Sequence, residues 1–481
     1  MRRGLFAQAG PLMLGRGVAA ALGFTLPLVL ARRFTLGEYG TYKQIFLVSN
    51  TAFWVLQLGM AQALYYFVPR AADALARRQF VLHSYLFLAL SGALAALGLV
   101  LFADPLSAVM SNPDLAPLVP LTAAYTWLLV ATSPLEIQLT AEGRVGAAGV
   151  ALVVTEVLRV GLSVGLLLAG GGLRGFLVGS VIATGLRAAL CVALVAARGV
   201  PRPSWPRLKE QLAYALPFGA AILLAIPQQQ LHLYAVSLSF DPATFAIYAT
   251  GCFQIPLINL LYSPVSDVLQ VRLAETADRA AQLALFHEAV GKLAFFFFPL
   301  CVGLVAAAPE LVEALFTNRY RAAIPIFRIA VLAVPLAALP LDGVLRARGR
   351  TRYLFLQYLW KLALSAPAVF VGLKFGLVGV IVSVTLVEAG SRVAMLREVG
   401  RELGAGAREL LPWRDLGGFA WLSVACCAVV WALQQLRLER PLLALALECG
   451  VYGLAYLAFA AGVPHFRRRG LVPSFSSVRE A

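Results

Sequence analysis

Twelve charged side chains stand inside long apolar runs of this sequence. Seven are basic (Arg16, Lys43, Arg159, Arg187, Arg328, Lys361 and Arg392) and five acidic (Glu136, Glu156, Asp342, Glu388 and Glu448). A charge at the centre of a bilayer costs at least about 2.5–3.5 kcal/mol, so such residues face a protein interior, pair with one another or meet a ligand. Glu156 and Arg159 are three apart and Glu388 and Arg392 four apart, a spacing that lets each pair meet on one helix face. Arg187 and Arg392 suit snorkelling toward the membrane surface. Arg16, Lys43 and Lys361 have no acid on their own runs. Their chemistry is anion binding: arginine grips a phosphate through two parallel N–H donors, and lysine acts as a point charge. Arg16 lies about four residues, or ~6 Å, from the end of its run, which leaves snorkelling as its alternative. The polar run Gln228-Gln229-Gln230-Leu231-His232 puts Gln229 and His232 within an apolar segment. There they would hydrogen-bond a polar ligand or neighbouring helices. The six cysteines lie in apolar runs, with no Cys-x-x-Cys and no Cys/His metal spacing. No disulfide, metal or other cofactor is expected from them.

The elements that hold these residues follow from composition. The chain has 481 residues, is 60% hydrophobic and 13% charged; its mean hydropathy is +0.81. A soluble protein would carry about twice that charged fraction. Apolar stretches of about 20 residues, each enough for a spanning helix, recur between short polar loops. They predict an all-α polytopic membrane protein with fourteen spans, near 12–31, 41–67, 82–102, 117–139, 147–169, 173–197, 212–238, 241–266, 290–316, 323–346, 353–374, 376–397, 415–436 and 441–463. Loops hold 25 basic residues on the side of the termini and 8 on the other, which predicts both termini in the cytoplasm. The same bias accounts for most of the net charge of +16 without a nucleic-acid partner. Met1-Arg2-Arg3 precedes a full-length apolar run and reads as the start of a retained span. No loop exceeds about 25 residues, too short for a soluble catalytic domain. The longest, about 267–289, reads either as an amphipathic surface helix or as a solvated linker.

Three short motifs recur in order at nearly one offset. Tyr39-Gly40-Thr41-Tyr42 returns as Phe245-Ala246-Ile247-Tyr248, and Ala141-Glu142-Gly143-Arg144 as Ala347-Arg348-Gly349-Arg350. Gly172-Leu173-Arg174-Gly175 returns as Gly376-Leu377-Val378-Gly379. Six spans separate the copies, so the repeats run in the same direction, an arrangement that builds two-lobed transporters. The expected organisation is a six-helix lobe at 1–205, a second at 206–400, and two added helices with a tail at 401–481.

With those motifs on the page, the chain resembles the polysaccharide-export (Wzx-type flippase) branch of the multidrug/oligosaccharidyl-lipid/polysaccharide exporter superfamily. The features that carry the likeness, over about 12–397, are Leu36-Gly37-Glu38-Tyr39-Gly40, Leu58-Gly59-Met60, Tyr214-Ala215-Leu216-Pro217, Leu311-Val312-Glu313-Ala314-Leu315-Phe316 and the two glycine motifs of the repeat. One departure matters: an Asp-Arg pair common in relatives near the end of span 7 is replaced here by Gln228–His232, so an ion-coupling role does not carry over to that position. The resemblance implies two six-helix lobes around a cavity lined by spans 1 and 2, which makes Arg16 and Lys43 the first candidates to meet a carrier pyrophosphate. Lys361, Gln229 and His232 complete the expected substrate contacts. It implies a flippase rather than an enzyme, with a lipid-linked anionic glycan as substrate in a bacterial inner membrane. The lipid bilayer and other polysaccharide-assembly membrane proteins are the implied partners. Two alternatives stay open: a cation-coupled drug exporter of the same superfamily, and a membrane polysaccharide polymerase or glycosyltransferase. The first calls for an acidic cavity, the second for a large outside loop or paired catalytic acids.

Overall fold

The structure, a computed structural model, describes residues 5–197, 199–253, 255–435, 441–464 and 466. Several basic residues of the loop count lie outside these: Arg2, Arg3, Arg198, Arg437, Arg440, Arg467, Arg468, Arg469 and Arg479. The chain forms two compact units, Met1–Ala246 and Ile247–Ala481.

The first unit contains α1 (Leu5–Arg33), α2 (Leu36–Gln57), α3 (Met60–Arg70), α4 (Ala74–Leu101), α5 (Ala103–Val109), α6 (Val119–Ala131), α7 (Pro134–Ala141), α8 (Val145–Leu166), α9 (Gly172–Ala196) and α10 (Trp205–Ser239). Helix α11 (Pro242–Gly251) spans the boundary. The second unit holds α12 (Pro256–Glu275), α13 (Arg279–Ala306), α14 (Ala308–Phe316), α15 (Ile324–Val331), α16 (Leu341–Ala347), α17 (Thr351–Leu373), α18 (Gly376–Leu403), α19 (Ala407–Leu410), α20 (Trp413–Gln434) and α21 (Pro441–Gly462). No strand occurs among the described residues.

Among the described residues, eleven helical segments are long and apolar enough to cross a membrane, or twelve if the bent pair α11 and α12 is one span, so the expected count of fourteen is not reproduced. The difference falls at two places. Val145–Ala196 counts as one segment of 52 residues, about 78 Å of helix against a core of about 30 Å. It turns back at Gly170 and Gly172, whose φ values of 91° and 53° suit glycine alone. Beyond the turn a Cβ on Gly179 would lie 2.5 Å from Leu162 O, and Ser163 Oγ meets Ser180 Oγ at 2.8 Å. The two arms, α8 and α9, are therefore packed on each other as a hairpin. Helix α10, 35 residues long, is the other place; it carries no charged residue between Gln211 and Ser239. The loop expected at 267–289 is neither a separate surface helix nor a long linker: α12 runs to Glu275 and α13 starts at Arg279.

The internal repeat extends to nearly every element. Helices α4 and α13 begin 205 residues apart (74 and 279) and end 205 apart (101 and 306). The short turns Pro113–Leu118 and Asn318–Ala323 keep the same offset. Their caps repeat too: Asp73 Oδ1 accepts from Ala76 N at 2.5 Å, and Asp278 Oδ2 accepts from Ala281 N at 2.8 Å. Gly143 and Gly349, with φ of 77° and 68°, close the same turn in both copies. Ahead of α2, Thr35 Oγ1 accepts from Glu38 N while Glu38 takes the Thr35 N–H, a reciprocal cap. At the matching place Asp241 accepts from Ala243 N at 3.0 Å and Thr244 N at 3.1 Å.

The hydrogen bond from the Thr244 hydroxyl, with those backbone donors, holds the Asp241 carboxyl below its ordinary value of 3.8. Its stabilisation is thus present above that value and disappears as pH falls through the depressed one. An Asp241→Ala variant is expected to lose about 0.5–2 kcal/mol at neutral pH. The gap from wild type should close in acid, as read by thermal unfolding at both pH values; a gap independent of pH would refute the cap.

Candidate anion-binding site

Lys43 lies in the middle of α2, and its neighbours fix the helix around it. One residue on, Gln44 is fully buried: its Nε2 donates to Met110 O and to Ser237 Oγ of α10, both at 3.1 Å. Asn112 Nδ2 donates to Gln44 Oε1 at 2.6 Å and to Thr41 Oγ1 at 2.9 Å. Satisfied buried amides of this kind rigidify what they join. Lys43 itself is half-buried, with no carboxylate partner among the described residues. Its Nζ lies 5.3 Å from the Tyr39 ring centroid and 6.0 Å from that of Tyr42. Rings at that distance attract a cation without neutralising it.

Arg16 is exposed on α1 and makes no ion pair or hydrogen bond among the described residues. Its helix is pressed against α8 at the preceding residue, where a Cβ on Gly15 would be 2.8 Å from Gly149 O. In the polar run of α10, Gln229 is exposed and His232 half-buried, and Gln228 Nε2 is buried without a hydrogen-bond partner. The same helix is tied to α2 by Tyr234 OH donating to Leu47 O at 3.4 Å.

Lys361 is in the second unit and is not isolated. Its Nζ lies 2.5 Å from Glu388 Oε2, and Arg392 Nε donates to Glu388 Oε1 at 2.8 Å. One carboxylate thus serves two cations on α17 and α18. The acid that answers Lys361 is 27 residues away (361 to 388), on the next helix, where own-helix spacing could not find it. Replacing Glu388 by glutamine is expected to cost about 3 kcal/mol, the low end for removing one partner of a buried ion pair, because two like charges are left facing each other. Thermal unfolding measures it. Adding Lys361→Met to Glu388→Gln should recover part of the loss, and no recovery would mean that the triad is not the cause.

The same-helix pair Glu156–Arg159 is made, with Arg159 Nε to Glu156 Oε2 at 3.0 Å. Arg187 and Arg392, which suit snorkelling, each have an acid partner. Arg187 Nη2 is 3.6 Å from Glu136 Oε1 and donates to Thr132 O at 3.3 Å, while Arg392 is held by Glu388. A repeat lies behind this as well. Glu136 and Asp342 are 206 residues apart, Arg187 and Arg392 are 205 apart, and Asp342 is a charged neighbour of Arg392. Tyr262 OH donates to Asp342, which also pairs with Arg346 at 3.1 Å. No local motif signals the Tyr262 contact, since 80 residues separate the partners. The tyrosines beside Lys43 do have a signal, because Tyr39 stands four residues before it, one turn away.

Among the described residues, then, Lys43, Arg16 and Arg328 are cations without acids, Arg328 donating instead to Val305 O at 3.1 Å, whereas Arg159, Arg187, Lys361 and Arg392 are paired. The cleft beside Arg159, bounded by Tyr42, Tyr125 and Ser180, has room for about 20 Å³, enough for one water but no ligand.

Solved structures share this fold. Lipid II flippase MurJ in an inward closed conformation aligns with a TM-score of 0.74 at 12% identity, over 95% of this chain and 99% of that one. An inward-facing multidrug resistance MATE family transporter of the MOP superfamily aligns at 0.67 and 13% identity, over 80% of this chain and 94% of that one. A MOP superfamily transporter from Pyrococcus furiosus, described as having a binding pocket of reverse polarity, aligns at 0.55 and 14% identity, over 82% and 94%. At these identities the likeness establishes the fold. No curated relative matches the sequence. The family described as Polysaccharide biosynthesis protein matches residues 29–325, well over half of the chain. This membrane protein, with the helical fold of MurJ and MATE transporters, belongs to that polysaccharide biosynthesis family.

Proposed function

We propose that the chain is a flippase that carries an undecaprenyl-(pyro)phosphate-linked sugar or oligosaccharide from the cytoplasmic to the periplasmic leaflet of a bacterial inner membrane. The observation that carries this reading is Lys43, a half-buried cation in an apolar span with no acid partner among the described residues. Desolvating such a charge is costly, and an anionic ligand offsets that cost. Lys43 supplies a point charge to the pyrophosphate, and Arg16 two parallel donors. Gln229 and His232 offer hydrogen bonds to the glycan, and the prenyl tail stays in lipid. No bond is made or broken in the cycle, so binding and alternating access suffice. Export of an anion from a negative interior is favoured by about 2.3 kcal/mol per charge per 100 mV.

The proposed organisation is a lobe at 1–205, a lobe at 206–400 and an addition at 401–481, with both termini cytoplasmic. A drug exporter for cations would call for carboxylates where Lys43 stands. The test is movement of a labelled undecaprenyl-pyrophosphate oligosaccharide between leaflets of reconstituted vesicles. Protein-dependent movement that quickens with an imposed potential is expected. No movement across a panel of carrier-linked glycans would refute the proposal.

A further inference from the structure

The second unit holds an apolar groove. Its walls come from α12, α13, α20 and α21, and include Leu261, Phe296, Leu300, Leu304 and Leu457. Its volume is about 300 Å³, at the lower end of the range for ligand pockets. Glu448 of α21 lines it and is only 3% exposed, with Oε2 lacking any hydrogen-bond partner. The polar neighbours of Glu448 are Glu310 of α14 and Gln434 of α20, and Gln434 Nε2 donates to Glu310 Oε2 at 3.3 Å. Two carboxylates thus share one amide, and among the described residues no basic side chain lines the groove.

The polarity is ordered along its length. Tyr456 OH donates to Phe295 O at one end, Tyr452 lies against Gly303 midway, and Glu448 faces Glu310 toward the other. From Glu448 to Leu457 is nine residues of helix, about 13 Å of continuously apolar wall. An ionised carboxylate left unpaired in apolar surroundings is costly and calls for a positive partner. We propose that this groove binds an amphiphile with an ammonium head and a single alkyl chain, the head on Glu448 and Glu310 and the chain along α13 and α21. Charge complementarity selects the head, and the narrow apolar trough selects the chain. The groove belongs to the second unit and Lys43 and Arg16 to the first, and its test does not involve translocation.

The experiment compares equilibrium binding of labelled dodecylammonium and dodecanol to the full chain in neutral maltoside micelles, from pH 5 to 9. The ammonium is expected to bind at least about tenfold tighter, the size of one charge-assisted hydrogen bond. Glu448→Gln, nearly isosteric, should abolish that preference and leave dodecanol binding in place. Gly453→Leu should block both ligands, because a Cβ at Gly453 meets nothing within 4 Å and a larger side chain there would fill the groove. Equal binding of the two ligands at every pH would mean that a proton already neutralises the carboxylate, and would overturn the proposal. So would an ammonium preference that survives Glu448→Gln.

Discussion

A Lys43→Ala protein should fold normally and lose translocation of a pyrophosphate-linked glycan by roughly 10- to 150-fold. That range corresponds to one hydrogen bond to a charged group, about 1.5–3 kcal/mol. Folding should be spared because the ammonium faces the Tyr39 and Tyr42 rings and joins no ion pair among the described residues. The helix around it is held by Gln44 and Asn112 instead. Lys43→Arg keeps the charge and should retain part of the rate. Initial rates in vesicles with matched incorporation, together with thermal midpoints, separate the two effects. An unchanged rate in Lys43→Ala would remove Lys43 from the substrate path while leaving the flippase reading intact.

The second large effect is expected on folding. At Gly40 in α2, a Cβ would sit 1.8 Å from the carbonyl oxygen of Pro242. The obstacle is backbone at the start of α11, so no side-chain rotation relieves it. Gly40→Ala should therefore cost about 3 kcal/mol or more, at or above the top of the usual range for overpacking. Gly37→Ala, one turn earlier, meets nothing within 4 Å and should be neutral or slightly stabilising. Thermal unfolding of the two variants side by side decides the matter. Similar midpoints would mean that the α2–α11 contact is not as tight as described. The second copy of the motif carries the fully buried Ala246 at the matching position, so the need for glycine arises from Pro242 and not from the repeat.

The repeat was the most legible part of the fold. Its sequence markers are the glycines that turns demand: Gly143 with Gly349, and Gly172 with Gly376, all at positive φ. Breaks within spans were not legible. Span 2 reads as one apolar run, yet it divides at Leu58 and Gly59, both in left-handed conformation, because α10 packs against that point. There a Cβ on Gly219 would be 2.6 Å from Leu58 O. The four-phenylalanine run gives no hint of its split either: Phe295 and Phe297 are buried to 1% and 0%, while Phe296 is 43% exposed. In the candidate site, pairs within one helix were readable from spacing. The Lys361–Glu388 and Arg187–Glu136 contacts were not, because helix packing brings their partners together.

That packing bears on how the chain is made. Helix α17 carries Lys361 and no acid, and the carboxylate that accepts it belongs to α18, synthesised afterwards. Glycines close the two helices on each other: a Cβ on Gly372 would lie 2.7 Å from Gly379 O, and one on Gly379 2.4 Å from Gly372 O. During biogenesis α17 should wait at the insertion machinery until α18 has emerged, and the two should enter lipid as a pair. A segment of residues 348–375 fused to a soluble carrier should accordingly stay extractable by alkali, and one of residues 348–403 should resist. Equal resistance at both lengths would show that Lys361 tolerates lipid by itself.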